Sequence, residues 1–299
     1  MGERADERTG ATHRTVPSAA NALVAALGAD TPLLTVELRP PRAELDAAAG
    51  MDAWIDTHHA VRGFVRDKSF VFLTDSAVGT REEHTLRHLV INLGADVPRD
   101  RVVPFLTSKH TIDFCLSYAE RAWHEGFPSL VVLGGDKSVG PPRCVEHAWQ
   151  LREKIRAHVP QLTLGGWANP HGRAAQQVGF LADEEFHGEF FLTQVVSHHD
   201  AASIGDFLEE MDRRNVRVPG VYGVFYYRSG RPETLATLRQ FLPVPVDGLT
   251  QEFTEKTPPE EICARTIRHL RQAGVKHIYV SNLPINRARQ TLAKIVNLL

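Results

Sequence analysis

After a polar, charged stretch over residues 1–20, the chain alternates short apolar runs with longer amphipathic segments. The apolar runs cover 33–38, 70–73, 102–106, 130–133, 162–164, 190–193, 218–224 and 277–280, and they are rich in Val, Leu, Ile and Phe. Short uninterrupted apolar runs that end in turn or polar residues are what strands buried on both faces require. The segments between them carry helical periodicity. Ile204, Phe207, Leu208 and Met211 recur at three- and four-residue steps, with charges on the opposite face. Further on, Pro258 and Pro259 suit a helix start, Ile262, Ile267 and Leu270 form its apolar stripe, and Gly274 suits its stop. Strand–helix units repeating at a spacing of roughly 35 residues predict a single-domain (β/α)8 TIM barrel over residues 21–299, with residues 1–20 as a flexible N-terminal tail. A doubly wound open sheet shares the alternation. The strand count and the lack of G-x-G-x-x-G after the first strand favour the closed barrel.

Composition narrows the partners. With 34 Lys and Arg against 36 Asp and Glu, the formal charge is −2, so no global basic field draws the chain to nucleic acid. No run approaches the roughly 18 apolar residues of a membrane span. The N-terminus has no apolar core of a secretion signal, and Cys115, Cys144 and Cys263 lie far apart in no metal-ligand spacing. Both features predict a cytoplasmic protein.

In parallel α/β folds the chemistry gathers where the strands end. Those positions hold Glu37 on the first strand, Thr74-Asp75-Ser76 after the second, Thr107-Ser108-Lys109-His110 after the third and Gly134-Gly135-Asp136-Lys137 after the fourth. Trp167-Ala168-Asn169-Pro170-His171 follow the fifth, Thr193-Gln194 end the sixth and Ser281-Asn282 end the eighth. Glu37 stands between Val36 and Leu38. Facing the interior it would be desolvated and become a proton donor near neutral pH; facing the helices it would pair with a cation such as Arg39. Asp136 could bind a polar ligand or cap the next helix. Phe225-Tyr226-Tyr227 is either a stacking wall for a flat ligand or the end of the seventh strand, and its place at the functional rim favours the wall.

Three patterns are set aside. Gly135-Asp136-Lys137-Ser138 lacks the spacing of a phosphate loop. His84 and His88 share a helix face without the Glu of H-E-x-x-H. His198-His199-Asp200 could ligate a metal, but Asp200 directly before a helix is better explained as its cap. No metal site is expected.

These residues together resemble the 5,10-methylenetetrahydrofolate reductase family, whose catalytic domain is a (β/α)8 barrel. The likeness runs from about Leu33 to Ala288. Val36-Glu37-Leu38-Arg39-Pro40-Pro41 resembles the family's F-E-F-F-P-P, and Thr74 falls on its strand-2 Thr. Leu106-Thr107 matches H-L-T, Gly135-Asp136 matches R-G-D, and Ala168-Asn169-Pro170 falls on A-Y-P. Phe191-Leu192-Thr193-Gln194 falls on I-T-Q, Pro219-Gly220-Val221 on P-G-I, and Asn286-Arg287-Ala288 on N-R-A. The resemblance implies Glu37 as general acid, with Asp136, Gln194, Thr107 and Tyr226 on the folate and Thr74, Phe105, Asn169 and His171 on the cofactor side.

The departures fall on the flavin side. Phe105 stands where the family has a flavin-contacting His, Gly134 replaces the strand-4 Arg, and Asn169 replaces the Tyr of A-Y-P. Residues 181–186, Leu-Ala-Asp-Glu-Glu-Phe, are net negative where the family carries basic residues for the flavin phosphates. The resemblance with these departures implies reduction of 5,10-methylenetetrahydrofolate by hydride taken directly from NADH or NADPH, without bound FAD. Two alternatives stay open at this point: the same reaction through weakly held FAD, and a folate-binding protein without catalysis. A metal-dependent barrel hydrolase is disfavoured because strand 1 ends in no His-x-His.

Overall fold

Each apolar run becomes a strand hydrogen-bonded to its successor. In a computed structural model that describes residues 21–41, 45–74, 93–94, 97–137 and 140–299, the strands are β1 (Leu34–Leu38), β2 (Val71–Leu73), β3 (Val102–Thr107), β4 (Ser129–Leu133), β5 (Thr163–Ala168), β6 (Phe190–Val196), β7 (Gly220–Phe225) and β8 (His277–Ser281). All pairings are parallel, and β8 returns to β1 with Tyr279 opposite Thr35, closing the barrel. The helices among the described residues are α1 (Ala22–Gly28), α2 (Ala47–Arg66), α3 (Ile112–His124), α4 (Ala148–His158), α5 (Ala174–Ala182), α6 (Ala201–Arg213), α7 (Pro232–Arg239), α8 (Val246–Thr254), α9 (Pro259–Gln272) and α10 (Ala288–Val296). None is long and apolar enough to cross a membrane. Residues 1–20, expected as a tail, lie outside the described residues, as do His84 and His88.

Strand alternation sorts the core into two shells. Val36, Leu38, Val71, Leu73, Leu106 and Val132 face outward and pack with the surrounding helices. Phe72, Val103, Phe105, Val131, Leu192, Val221 and Tyr279 fill the barrel. α1 closes the N-terminal end, where Leu23 and Leu27 join the inner shell, each worth about 1.5–3 kcal/mol of burial. Asn21 fixes that plug twice over. Its side-chain oxygen accepts from Leu23 N–H and Val24 N–H, while its Nδ2 donates to Ser129 Oγ at 2.9 Å.

The structure departs from the sequence expectation in three elements. β5 runs on through Gly165 and Gly166, which look like a turn in one dimension. A Cβ at Gly165 would stand 2.5 Å from the Phe190 ring, and one at Gly166 would stand 2.4 Å from the Phe186 ring. The glycines are there because rings from the neighbouring segment press on both faces of the strand. Between β7 and α9 the chain makes two short helices, α7 and α8, over their own apolar cluster of Leu235, Val244, Leu249 and Ile262. Finally, β6 carries an irregularity: Leu192 pairs with Val221 but Val195 pairs with Gly223, so one extra residue bulges out.

Candidate active site at the barrel mouth

Glu37 lies on the inner face of β1, one place before its outward-facing end residue, opposite Phe72 in register. The side chain keeps part of its surface open at the mouth. Burial nevertheless raises its pKa from 4.5 to about 7, because the surrounding apolar walls disfavour the charged form. Two weaker influences oppose the shift: a hydrogen bond donated by Ser281 Oγ to Glu37 Oε1 at 2.8 Å, and the charge of exposed Arg39. The outward, Arg-paired alternative is therefore replaced by the inward one. Nearby Tyr279 is fully buried, and its hydroxyl pKa is driven far up by burial first and by the Glu37 charge second.

Thr74 and Thr107 continue the inward-facing positions of β2 and β3. Thr74 N–H still donates to Leu38 O, so the ladder extends to it, and Thr107 is fully buried at the end of β3. Phe105 is in the inner shell with its ring centroid 6.2 Å from that of Phe72. Asp136 is half-buried just past β4, beyond Gly135, which adopts φ +72°. Above the preceding Gly134 lies a guanidinium. A Cβ there would be 2.7 Å from Arg143 Cζ, and Arg143 Nη2 donates to Gly135 O. The cation absent from position 134 thus returns from nine residues downstream.

Three site residues are spent on local structure. Gln194 sits in the β6 bulge, where its Oε1 accepts from Val195 N–H at 2.9 Å. The same irregularity exposes Thr193 O, which accepts from Tyr279 OH at 2.6 Å. Asn169 Oδ1 accepts from His171 N–H at 3.1 Å in the turn after β5, and His171 Nε2 lies 2.9 Å from Val195 O. Asn169 and His171 therefore hold the β5 turn against β6.

Two expectations are corrected by position. Tyr226 belongs to the outer shell, and burial raises its hydroxyl pKa to about 12, with Glu260 and Cys263 of α9 adding to the rise. It faces the helix layer, not a substrate at the mouth. Phe225 and Tyr227 are buried against the α7–α8 cluster, so the aromatic run forms no stacking wall. Tyr226→Phe should accordingly leave turnover within about twofold of wild type, a comparison made by steady-state kinetics. The acidic stretch is the second correction. Asp183, Glu184 and Glu185 are exposed on the connection from α5 into the start of β6, outside the barrel, and cannot repel a ligand at the opposite end of the strands. The structure also has a cavity of about 370 Å³ lined by Arg62, Arg66, Lys68 and Arg101. It lies at the N-terminal side of β2 and β3, away from this mouth.

No family model and no curated protein matches the chain. Among solved structures, an uncharacterized protein from Clostridium thermocellum, described as binding two copies of 5-methyl-5,6,7,8-tetrahydrofolic acid, superposes with a TM-score of 0.61 at 14% identity, covering 90% of this chain and 95% of the other. A protein of Aquifex aeolicus VF5 aligns at 11% identity with a TM-score of 0.45 over 90% of this chain and 89% of that one. The first likeness is one of fold.

The residue that sequence reading did not single out is Ser281. It was visible only as a polar end to the eighth strand. Barrel closure sets β8 beside β1 and turns an ordinary serine into the hydrogen-bond partner of Glu37, 244 positions away. The signal available in advance was a short hydroxyl residue at the end of the last strand, which only closure gives a partner.

Proposed function

We propose that this chain reduces 5,10-methylenetetrahydrofolate to 5-methyltetrahydrofolate with hydride from NADH or NADPH. The observation that carries the reading is a carboxyl at the barrel mouth whose burial holds its pKa at about 7. The ordered family-like motifs around it support the folate assignment, as does the similar fold of a protein described as binding the methylated product.

Glu37 delivers a proton to N10 of the folate. The bond from the bridging carbon to N10 then breaks, leaving a cationic iminium at N5. Hydride adds to that carbon to make the methyl group, the nicotinamide leaves oxidised, and Glu37 regains its proton from solvent. Ser281 holds Oε1, so Oε2 is the oxygen left to carry the proton. The nicotinamide C4 must come within about 3–3.5 Å of the iminium carbon. Thr107, Asp136 and the amide NH2 of Gln194 are the groups assigned to the pterin's donor and acceptor edge. Thr74 and the Phe105 face are assigned to the nicotinamide side.

Flavin is dispensed with in this reading. The positions that match the family's flavin contacts fit the group poorly, since Asn169 Oδ1 and His171 Nε2 are committed to backbone and Phe105 packs on Phe72. The test is an absorption spectrum of the purified protein, followed by NADH or NADPH oxidation with 5,10-methylenetetrahydrofolate. Product formation matched to nucleotide oxidised, with no flavin band, is expected. Stoichiometric FAD would overturn the flavin-free half, and tight folate binding without nucleotide oxidation would overturn the reaction.

A further inference from the structure

Just past β6 the chain makes a 3₁₀ turn, His198–Asp200, that packs against α8 and α9. Asp200 stands directly before α6, but its side chain does not cap that helix as its sequence position predicts: Oδ2 accepts from Ser197 N–H, three residues back, while Ser197 Oγ accepts from His199 N–H. The two imidazoles are left to meet a carboxylate the sequence order hides. His198 Nε2 lies 3.3 Å from Glu252 Oε1, and His199 Nε2 lies 3.1 Å from Glu252 Oε2. The Glu252 carboxylate is almost fully buried on α8.

The hydrogen-bond accounting around His198 does not close with protein atoms alone. Thr266 Oγ1 lies 3.3 Å from Ile262 O one turn back on α9 and 2.8 Å from His198 Nδ1; when its hydroxyl donates to that carbonyl it accepts from Nδ1. In that arrangement Nδ1 carries the ring proton and Nε2 presents the lone pair that a metal ion takes. That lone pair is buried, makes no hydrogen bond, and points at a carboxylate oxygen. Two electron-rich atoms facing each other at this distance repel unless a cation lies between them.

We propose that His198 Nε2, His199 Nε2 and Glu252 Oε2 bind one divalent cation of the zinc class, with water as the fourth ligand. Two imidazoles and a carboxylate are a ligand set suited to zinc. One ligand atom from each residue lies within 4.8 Å of the others. A closed tetrahedron needs about 3.3 Å at metal–ligand distances of about 2.0–2.1 Å, so a small inward side-chain movement completes it. The supporting groups are in place. Thr266 fixes the His198 tautomer, and Arg265 Nη1 donates to Glu252 Oε1 at 2.6 Å, which orients the carboxylate and leaves Oε2 for the ion. Gly248 makes room on α8, since a Cβ there would stand 2.4 Å from His199 Cε1. A glycine inside a helix costs about 1 kcal/mol against alanine, and here it admits a ligand ring. The bound ion ties the end of β6 to the α7–α8 segment. This site is independent of the proposed reaction at Glu37.

The test uses the full chain stripped with chelator and titrated with Co²⁺, then with Zn²⁺ as competitor. One Co²⁺ per chain with the visible absorption of four- or five-coordinate cobalt, displaced by Zn²⁺, is expected. His199→Gln, at an exposed position, should lose that signal with unchanged far-ultraviolet circular dichroism. Thr266→Val should keep the fold and weaken binding by about 10–100-fold. The proposal fails if the wild type binds neither metal, or if His199→Gln binds them with undiminished affinity. It fails equally if the cluster is a hydrogen-bonded pin alone, in which case Zn²⁺ leaves the wild-type melting temperature unmoved.

Discussion

Glu37→Gln is expected to fold, to lose turnover by about 10²–10⁴-fold, and to be more stable than wild type above neutral pH. Both effects come from one fact, a carboxyl whose folded pKa is about 7 against 4.5 for the free group. Glutamine keeps the shape and can still accept from Ser281 Oγ, but it has no proton to give. The stability effect has a definite sign. Below about pH 4.5 the carboxyl is protonated in folded and unfolded chains alike, and wild type carries no penalty. Between about pH 4.5 and 7 the unfolded chain has released the proton while the folded chain still holds it, so wild type loses stability across that window, and the loss is complete above about pH 7, where the folded carboxyl ionises in an apolar setting. A shift of this size corresponds to at most about 3.4 kcal/mol, and partial solvent access at the mouth reduces it to about 1–2 kcal/mol. Urea denaturation at pH 5 and pH 8 measures it: the variant should gain at pH 8 and match wild type more closely at pH 5. Wild-type turnover should fall above about pH 7 as the donor ionises. Near-normal turnover in Glu37→Gln would remove Glu37 from the chemistry, and equal stability at both pH values would show that the carboxyl is not desolvated.

The largest expected loss of stability comes from Gly223→Ala. A methyl at this inward position of β7 would stand 2.4 Å from Tyr279 Oη, 2.5 Å from Cζ and 2.9 Å from Cε1. The ring cannot step aside cheaply, because it is fully buried and packs against Phe72 with centroids 6.2 Å apart. Its hydroxyl also satisfies Thr193 O at the β6 bulge. Overpacking a barrel interior costs about 1–3 kcal/mol, and stranding a buried hydroxyl with its carbonyl adds about 1–3 kcal/mol. A loss of about 3–5 kcal/mol is expected from the denaturation midpoint at unchanged slope. A loss under about 1 kcal/mol would mean that the Tyr279 ring has another place to go.

Much of the fold was legible in one dimension because burial on both faces leaves a continuous apolar run. β1, β4 and β8 begin and end within a residue or so of the runs that predict them. β5 was not, since Gly165 and Gly166 carry no hydrophobic signal and owe their strand conformation to Phe190 and Phe186 pressing on them. The site divides in the same way. Glu37 was legible as an acid inside an apolar strand. Tyr226 was misplaced because a tyrosine at a strand end carries no mark of which face it takes, and alternation along β7 sends it to α9.

From the sequence alone came the strand–helix alternation, the inward choice of apolar residues and the acid on the first strand, all set by spacing within a few residues. Tertiary structure decided what joins residues far apart. Barrel closure brought Ser281 to Glu37, the β6 bulge drew on Gln194 and Tyr279, and packing of α8 carried Glu252 to His198 and His199. The reason is physical: periodicity reports the environment of each side chain, while the partner of a polar group depends on chain crossings that no local pattern records.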